Sequence, residues 1–557
     1  MNDPTPAFSI EGLTIGQALA RTAALHPTQD ALLCPAAGVE CDWREFLERV
    51  DQAAHGLLAL GIRRGDHVAL WATNVPEWVF LQFATARIGA VLVTVNPAYR
   101  PFELSYVLEQ SDAVALVLID RWKTSDYYAM LTEVAPQLDD AEPGQWQVPS
   151  FPKLRNVVTL RGTGPRGSMS WERLLELGRG DRTDLDRLGE LLSPRDPINI
   201  QYTSGTTGFP KAATLSHHNL LANAYWVGAC QRMTERDRIC LPLPFYHCFG
   251  CVLGTLCAAV YGAAMIVPAE SFNPTATLDA IERYGATVIY GVPTMYIAQL
   301  QDPSFPARRI TTLRTGIMSG SPCPIEVMRQ VVGAMGVREM TIAYGQTEAS
   351  PVITQTRCDD PIELRVETVG RPLPGVEVKL VDPATGATLG DNQQGELCTR
   401  GHVVMLGYYR NPQATAAAID ADGWLHTGDI ALRLASGYYR ITGRIKDLVI
   451  RGGENIYPRE VEEFLFTHPA IEQVSVVGVP DLKYGEELCA WIKLKAGARL
   501  AEDEVREFCK AKLARFKVPR YVRFVEAFPQ TVTGKIQKFK IREQMISDLN
   551  LAQQETA

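Results

Sequence analysis

Three times this chain runs from a helix-forming stretch through one glycine into a short strand that is apolar on both faces. The segments are ATARIGAVLVTV (84–95), AAVYGAAMIV (258–267) and IERYGATVIY (281–290). Glycine ends a helix cheaply because it adopts the left-handed conformation that the position after the last turn requires. A strand without polar alternation belongs in a sheet covered by helices on both sides. Residues 66–71 and 112–119 add similar strands. This alternation predicts an α/β fold with largely parallel sheets. The three segments are too dissimilar to be a tight repeat, so a solenoid is not expected.

The texture changes after about residue 365. Gly, Pro and Asp punctuate short strands in GRPLPGVEVKLVDPATG, GELCTRG and GYYRITGR, which predicts a small antiparallel or barrel-like unit over about 366–445. From Lys446 the pattern reads helix (458–467), strand (472–479), strand (488–495), helix (502–514), then a basic tail. The expected organisation is a large domain over 1–445 and a small α+β domain over 446–557. No low-complexity linker separates them, so motion between them would be a hinge.

Residues 239–269 carry no formal charge, a length that suggests a membrane span. The run is broken by Pro242, Pro244, Gly250, Gly254, Gly262 and Pro268. It reads better as a loop, a buried helix over 249–260, a glycine stop and a buried strand over 263–267. With 55 Lys and Arg against 63 Asp and Glu, the net charge is −8, a poor match to a general nucleic-acid or anionic-membrane binder. The 12 cysteines are scattered without a CxxC pair, which predicts buried, reduced thiols rather than a zinc site. The N-terminal residues lack the basic and apolar regions of a secretory signal and the Arg-richness of a transit peptide, so a cytoplasmic placement is expected.

The strongest local motif is QYTSGTTGFPKAA (201–213). An apolar strand feeds a loop of Ser, Gly and Thr closed by Lys211. Glycines let backbone N–H groups turn towards an anion, hydroxyls add donors and the lysine adds charge. The spacing is not that of the common NTPase P-loop, GxxxxGK[ST].

This string resembles the phosphate-binding signature of the adenylate-forming superfamily of acyl-CoA synthetases, adenylation domains and luciferases. Further segments resemble that superfamily's motifs in the same order: PLPFYHCFG (242–250), AYGQTEAS (343–350), LHTGDI (425–430), GRIKDLVIRGGENIYPREVE (443–462) and TVTGKIQKFKIRE (531–543). NPAYRPFELSYVL (96–108) and RFKVPRYVRFV (515–525) are most similar to free-standing fatty-acyl-CoA synthetases of the medium-chain type. The resemblance covers nearly the whole chain. It implies two α/β sheet layers and a β-barrel-like unit in the large domain, with a mobile small domain behind.

The resemblance also implies a two-step reaction. A carboxylate attacks the α-phosphorus of ATP and expels pyrophosphate; the thiol of coenzyme A then displaces AMP. Because the first step joins two anions, catalysis rests on positioning and charge neutralisation. Lys535 is the implied bridging cation, although residues 510–542 hold ten Lys and Arg and one acid, Glu526. Glu348 is an oxygen ligand suited to Mg²⁺, with Thr347 near the α-phosphate. Thr203, Ser204, Gly205, Thr206, Thr207, Gly208 and Lys211 are implied around the phosphates. Gly320 and Ser321 border the adenine, although related proteins often carry Ala where Ser321 stands. Tyr344, Gly345 and Gln346 flank the nucleotide, Tyr344 and Gly345 also facing the acyl pocket. Asp429 accepts from the ribose hydroxyls, with Ile441 and Arg444 nearby. Tyr246, His247, Cys248 and Val252 join the acyl pocket, His247 as a gate. The small residues of 248–256 suggest a channel wall with room for an alkyl chain. Lys446 takes the hinge position, and Gly452, Gly453 and Glu454 face the pantetheine of coenzyme A.

Two other readings stay open. The same chemistry could act on an aryl, branched or sulfur-containing short acid, or the chain could hold nucleotide without turnover. The expected partners are a carboxylic acid, ATP and coenzyme A, with neither nucleic acid nor stable membrane insertion, in a monomer or homodimer.

Overall fold

The computed structural model describes residues 6, 8–145, 147–203, 210–321, 323, 325–452, 454–510, 512–531 and 534–551. The expectations for Ser204, Gly205, Thr206, Thr207, Gly208 and Gly453 lie outside them.

Two large sheets are built on the predicted alternation. In the first, strands His67–Trp71, Val91–Thr94, Ala115–Leu118, Asn156–Thr159 and Pro197–Thr203 run parallel. Lys211–Ser216 then folds back antiparallel on Pro197–Thr203, with Thr203 opposite Lys211. The two-residue strand Gly407–Tyr408 extends that edge, Tyr408 facing Ala213. The second sheet runs parallel through Asp30–Cys34, Ala264–Ile266, Arg238–Cys240, Val288–Gly291, Thr315–Met318 and Glu339–Gly345, with antiparallel strands at both edges.

Helices Pro76–Ile88 and His217–Cys230 are buried almost all round, as expected of helices enclosed on both sides. Buried polar contacts fix them. Gln82 Nε2 donates to Cys251 O at 2.9 Å and Asn223 Nδ2 to Val352 O at 2.8 Å. The three predicted glycine stops are present: Gly89, Gly262 and Gly285 cap their helices with φ of 71°, 74° and 61°.

The charge-free run is loop, helix, glycine stop and strand, as read, with two differences: it opens on the end of strand Arg238–Cys240, which was not read, and its helix is irregular. That helix is π-helical over Cys251–Leu256 between α-helical turns. Among the described residues no helix is long and apolar enough to cross a membrane. All 12 cysteines are free and only Cys323 is not buried.

The β-rich unit is an antiparallel sheet ordered Val376–Val381, Gln394–Gly401, Leu425–Arg433, Tyr439–Arg444. Its outer strands are not paired with each other among the described residues. The last hundred residues form a mixed sheet around the hairpin Ile471–Asp481 and Gly485–Leu494, with Tyr521–Phe524 parallel to the second hairpin strand. Period-two alternation feeds two cores. Val474, Val476, Leu488, Ala490 and Ile492 pack on one face, and Val477, Val479, Cys489 and Trp491 on the other with Ile541 and Met545 of helix Lys538–Asp548. The buried clusters of the large sheets end at Ile441, and those of this last part begin at Val449.

Candidate active site

Strand Pro197–Thr203 and its antiparallel return carry the candidate phosphate loop at their joined end. Thr203 Oγ1 shares its one proton between Glu348 Oε1 at 3.2 Å and Lys211 O at 3.4 Å. Glu348 lies in the short 3₁₀ turn Thr347–Ala349, after strand Glu339–Gly345. That strand turns back so tightly that a Cβ on Gly345 would collide with the Pro351 carbonyl oxygen. Tyr408, which the sequence reading missed, donates its hydroxyl to Glu348 Oε1 at 2.8 Å. Lys211 Nζ lies 5.1 Å from the centre of the Tyr408 ring. Burial, then Glu348, raises the Tyr408 phenol far above its ordinary range, so it remains a donor.

A second cluster forms where the β-rich unit meets the same strand end. Asp429 is 3% exposed. Tyr344 donates to its Oδ2 at 2.7 Å, and Arg444 Nε sits 2.8 Å from its Oδ1. The ladder makes this pairing local, because Asp429 and Arg444 are cross-strand partners. Arg444 is held above its ordinary value chiefly by Asp429, although its side chain is 47% exposed, so the net stabilisation is small. Ile441 is buried on the Arg444 strand. The turn before Asp429 is supported from beneath. Gly428 N donates to Glu396 Oε1 at 3.0 Å, and His426 Nδ1 lies 2.8 Å from Glu396 Oε2.

His247 and Cys248 open the helix that continues into the π-turn. His247 Nδ1 accepts from Phe249 N at 3.1 Å, which leaves the ring proton on Nε2. Burial and then Lys535 push the His247 pKa down to about 3, so the ring is neutral near pH 7. Burial pushes the Cys248 thiol up to about 11, and its Sγ lies 3.7 Å from Thr347 Oγ1. The Tyr246 ring meets His247 edge-on at 6.4 Å.

The channel-wall expectation needs correcting at this helix. A Cβ on Gly250 would strike Pro244 O, and one on Gly254 would lie 2.7 Å from Leu241 Cδ2. These glycines are small because neighbouring chain already fills the space, not because a ligand does. Val252 is fully enclosed in the main core.

Lys535 reaches this cleft from the far end of the chain. Thr531 N donates to Lys535 O at 2.8 Å and Gly534 N to Thr531 O at 2.9 Å, closing a tight turn. Gly534 has φ of 77°, and a Cβ there would lie 2.9 Å from Thr294 Oγ1. A Cβ on Gly320 would lie 3.0 Å from Val292 Cγ1 and 4.0 Å from Lys535 Cε. The lysine stem therefore passes over Gly320, and Val292 and Thr294 receive its turn; neither was read from sequence. Ser321 is half-buried in the same bend, and Gln346 is half-buried and extended beside Thr347. The Lys535 ammonium lies among the electrostatic neighbours of Arg444, Cys248, Asp429 and Glu348. Burial first and Arg444 second hold it below the ordinary lysine value.

Lys446 is exposed in the turn Ile445–Asp447. Gly452, with φ of 60°, donates its N–H to Tyr484 O at 2.7 Å, and Glu454 is exposed on the neighbouring strand. Among the described residues no hydrogen bond or ion pair joins Gly452 or Glu454 to the cleft.

Two groups offer cation ligands. Glu348, whose Oε1 receives the Thr203 hydroxyl, is a hard-oxygen donor suited to a divalent ion on phosphates. Glu396, Cys398 and His426 place three ligand atoms within 4.8 Å of one another. The carboxylate and ring of that second group are already hydrogen-bonded to each other, and Lys379 faces Cys398 across the ladder. It serves as support for the Asp429 turn.

Residues 19–409 match the family model described as AMP-binding enzyme, and residues 460–535 match the AMP-binding enzyme C-terminal domain. The chain is 50% identical over 540 residues to the putative acyl-CoA synthetase YngI of Bacillus subtilis (strain 168), covering 97% of this chain and 98% of that protein. It is 43% identical over 544 residues to the mitochondrial medium-chain acyl-CoA ligase ACSF2 of Bos taurus, covering 97% and 88%. Among solved structures, the anthranilate CoA ligase AuaEII in complex with anthranoyl-AMP superposes with a TM-score of 0.85 at 26% identity, covering 97% and 98%.

Proposed function

The chain belongs to the AMP-binding enzyme family, and on that premise we propose that it is an acid–thiol ligase making acyl-CoA from a medium-chain fatty acid, ATP and coenzyme A. In the first step a carboxylate oxygen attacks the α-phosphorus and the bond to pyrophosphate breaks. In the second, the coenzyme A sulfur attacks the acyl carbon and AMP leaves with the bonding pair.

The observation that carries this reading is the seat of Lys535, whose stem passes over Gly320 and which has both Asp429 and Glu348 among its electrostatic neighbours although it comes from the last part of the chain. A single ammonium there faces both the incoming carboxylate and the α-phosphate, and it reduces their repulsion in a partly dehydrated cleft. Asp429 accepts from the ribose hydroxyls; Tyr344 and Arg444 use one geometry each of its two oxygens, and a carboxylate has acceptor sites to spare. Lys211 and the loop before it take the terminal phosphates. Glu348 would hold a Mg²⁺ ion, which when bound would offset the charge of the phosphates. Neutral His247 presents Nε2–H without adding a positive charge that would compete with Lys535.

The second step requires coenzyme A to approach the same adenylate. Among the described residues no hydrogen bond or ion pair joins the candidate coenzyme A residues Gly452 and Glu454 to the cleft in this arrangement, which fits a domain boundary at 445/446 and rotation about Lys446. The break between buried clusters at Ile441 and Val449 supports it too. Twelve free thiols fit a reducing compartment such as the cytoplasm.

Identity to a medium-chain ligase favours a fatty acid, and likeness to an anthranilate ligase favours the second reading, an aryl acid. Pyrophosphate release across acids of two to eighteen carbons and a set of aryl acids, with and without coenzyme A, separates them. The expected result is a maximum at medium chain length and thioester only when coenzyme A is present. A maximum on aryl acids overturns the substrate assignment, and no release with any acid overturns the enzyme.

A further inference from the structure

We propose that Tyr408 is a positioning residue that orients the Glu348 carboxylate for the cation and at the same time seats the Lys211 ammonium for the phosphates; this rests on the roles given to those two groups above. The Tyr408 backbone is fixed on every side. It pairs with Ala213 at the sheet edge, its N–H donates to Thr415 Oγ1 at 2.9 Å, and the next residue donates Tyr409 N to Ala212 O at 2.8 Å. A side chain held on such a platform is a fixed reference for whatever touches it.

Two groups touch it in different ways. The hydroxyl donates to Glu348 Oε1, the oxygen that also receives Thr203. With Oε1 doubly engaged, and no bond to Oε2 among the described residues, the second oxygen is the one presented to a hard cation. The ring, not the hydroxyl, meets Lys211. An ammonium over an aromatic face is held without an acceptor atom and keeps its three donors for phosphate oxygens. A tyrosine is the side chain that does both; phenylalanine keeps one role and leucine keeps neither.

The test separates the two roles and includes a readout independent of turnover. Mn²⁺ binding in the presence of α,β-methylene-ATP is followed by the loss of the free-ion electron paramagnetic resonance signal, in the wild type, Y408F, Y408L and E348Q. The ATP KM is measured in parallel by pyrophosphate release at saturating Mg²⁺. Y408F is expected to weaken Mn²⁺ binding about tenfold, the scale of one hydrogen bond to a charged group. Its ATP KM should stay near the wild-type value because the ring remains. Y408L should weaken Mn²⁺ binding equally and also raise the ATP KM several-fold, on the scale of one lost cation–π contact. Wild-type Mn²⁺ binding in Y408F alongside a large loss in E348Q overturns the positioning role and leaves the wider reading standing. Equal ATP KM in Y408F and Y408L overturns the Lys211 part. Undiminished Mn²⁺ binding in E348Q removes Glu348 from the cation site and takes both readings of that residue with it.

Discussion

Lys535 is set apart from most cations of its stretch: among the described residues it has no acidic partner within ion-pair distance, and its electrostatic neighbours are Arg444, Cys248, Asp429 and Glu348 of the cleft. Six of the ten basic residues between 510 and 542 have such a partner: Lys510 with Glu507, Lys517 with Glu460, Arg520 with Asp481, Arg523 with Asp548, Lys538 with Glu462 and Arg542 with Glu486. The sequence shows a basic tail with one acid inside it because five of these six carboxylates lie earlier in the chain and one lies later. Folding neutralises most of the tail and leaves the motif lysine in the cleft. Two titrations follow from the site. Lys535 must be charged to act and is held below the ordinary lysine value, so adenylation should fall on the alkaline side before a free lysine would deprotonate. His247 is depressed to about 3, so it favours the fold above the unfolded imidazole value near 6.5, and that contribution is lost as pH falls towards 3. A pH profile of pyrophosphate release should therefore show no inflection between pH 5 and 8 that disappears in H247A. An inflection there that vanishes with the imidazole would contradict a neutral His247.

At the scale of elements, the sequence was most readable where a local rule decides the structure. The helix–glycine–strand junctions at Gly89, Gly262 and Gly285 required only the cheap left-handed glycine. The strand feeding the candidate phosphate loop followed from an apolar run entering a turn-rich string, but its antiparallel return Lys211–Ser216 did not. What could not be read was set by distant neighbours. The filled space over Gly250 and Gly254 depends on Pro244 and Leu241 packing back on the helix, and no local pattern marks the π-turn at Cys251–Leu256. Tyr408 is one of two tyrosines after Gly407, and nothing local says which faces Glu348; the antiparallel register against Ala213 does. Gly345 illustrates the same point and gives a test. Its missing Cβ allows strand Glu339–Gly345 to turn back against Pro351, and that turn carries Thr347 and Glu348. G345A should lower stability by about 1–3 kcal/mol, the scale of overpacking against a fixed backbone, and should weaken ATP binding with it. An unchanged thermal midpoint with unchanged ATP affinity would show that the turn has room to give.

The whole molecule brings its chemistry together from segments far apart in the chain. The large sheets supply Thr203, Glu348, Tyr344 and His247, the antiparallel unit supplies Asp429 and Arg444, and the last part supplies Lys535 through a turn seated on Val292, Thr294 and Gly320. The last part keeps its own two buried clusters, so it can leave without dismantling either core. In the proposed mechanism its contact here serves adenylation, and among the described residues no hydrogen bond or ion pair joins Gly452 or Glu454 to the cleft. Lys446 lies in the turn between these parts in a 3₁₀ conformation that proline shares, so K446P should hold this arrangement. The most direct measurement is of the two half-reactions apart: pyrophosphate release from acid and ATP, and thioester formation from supplied acyl adenylate and coenzyme A, in K535A and K446P. The account predicts that K535A loses the first by about 10²–10³-fold and largely keeps the second, while K446P does the reverse. Equal losses in both half-reactions for K535A, or full thioester formation in K446P, would contradict it.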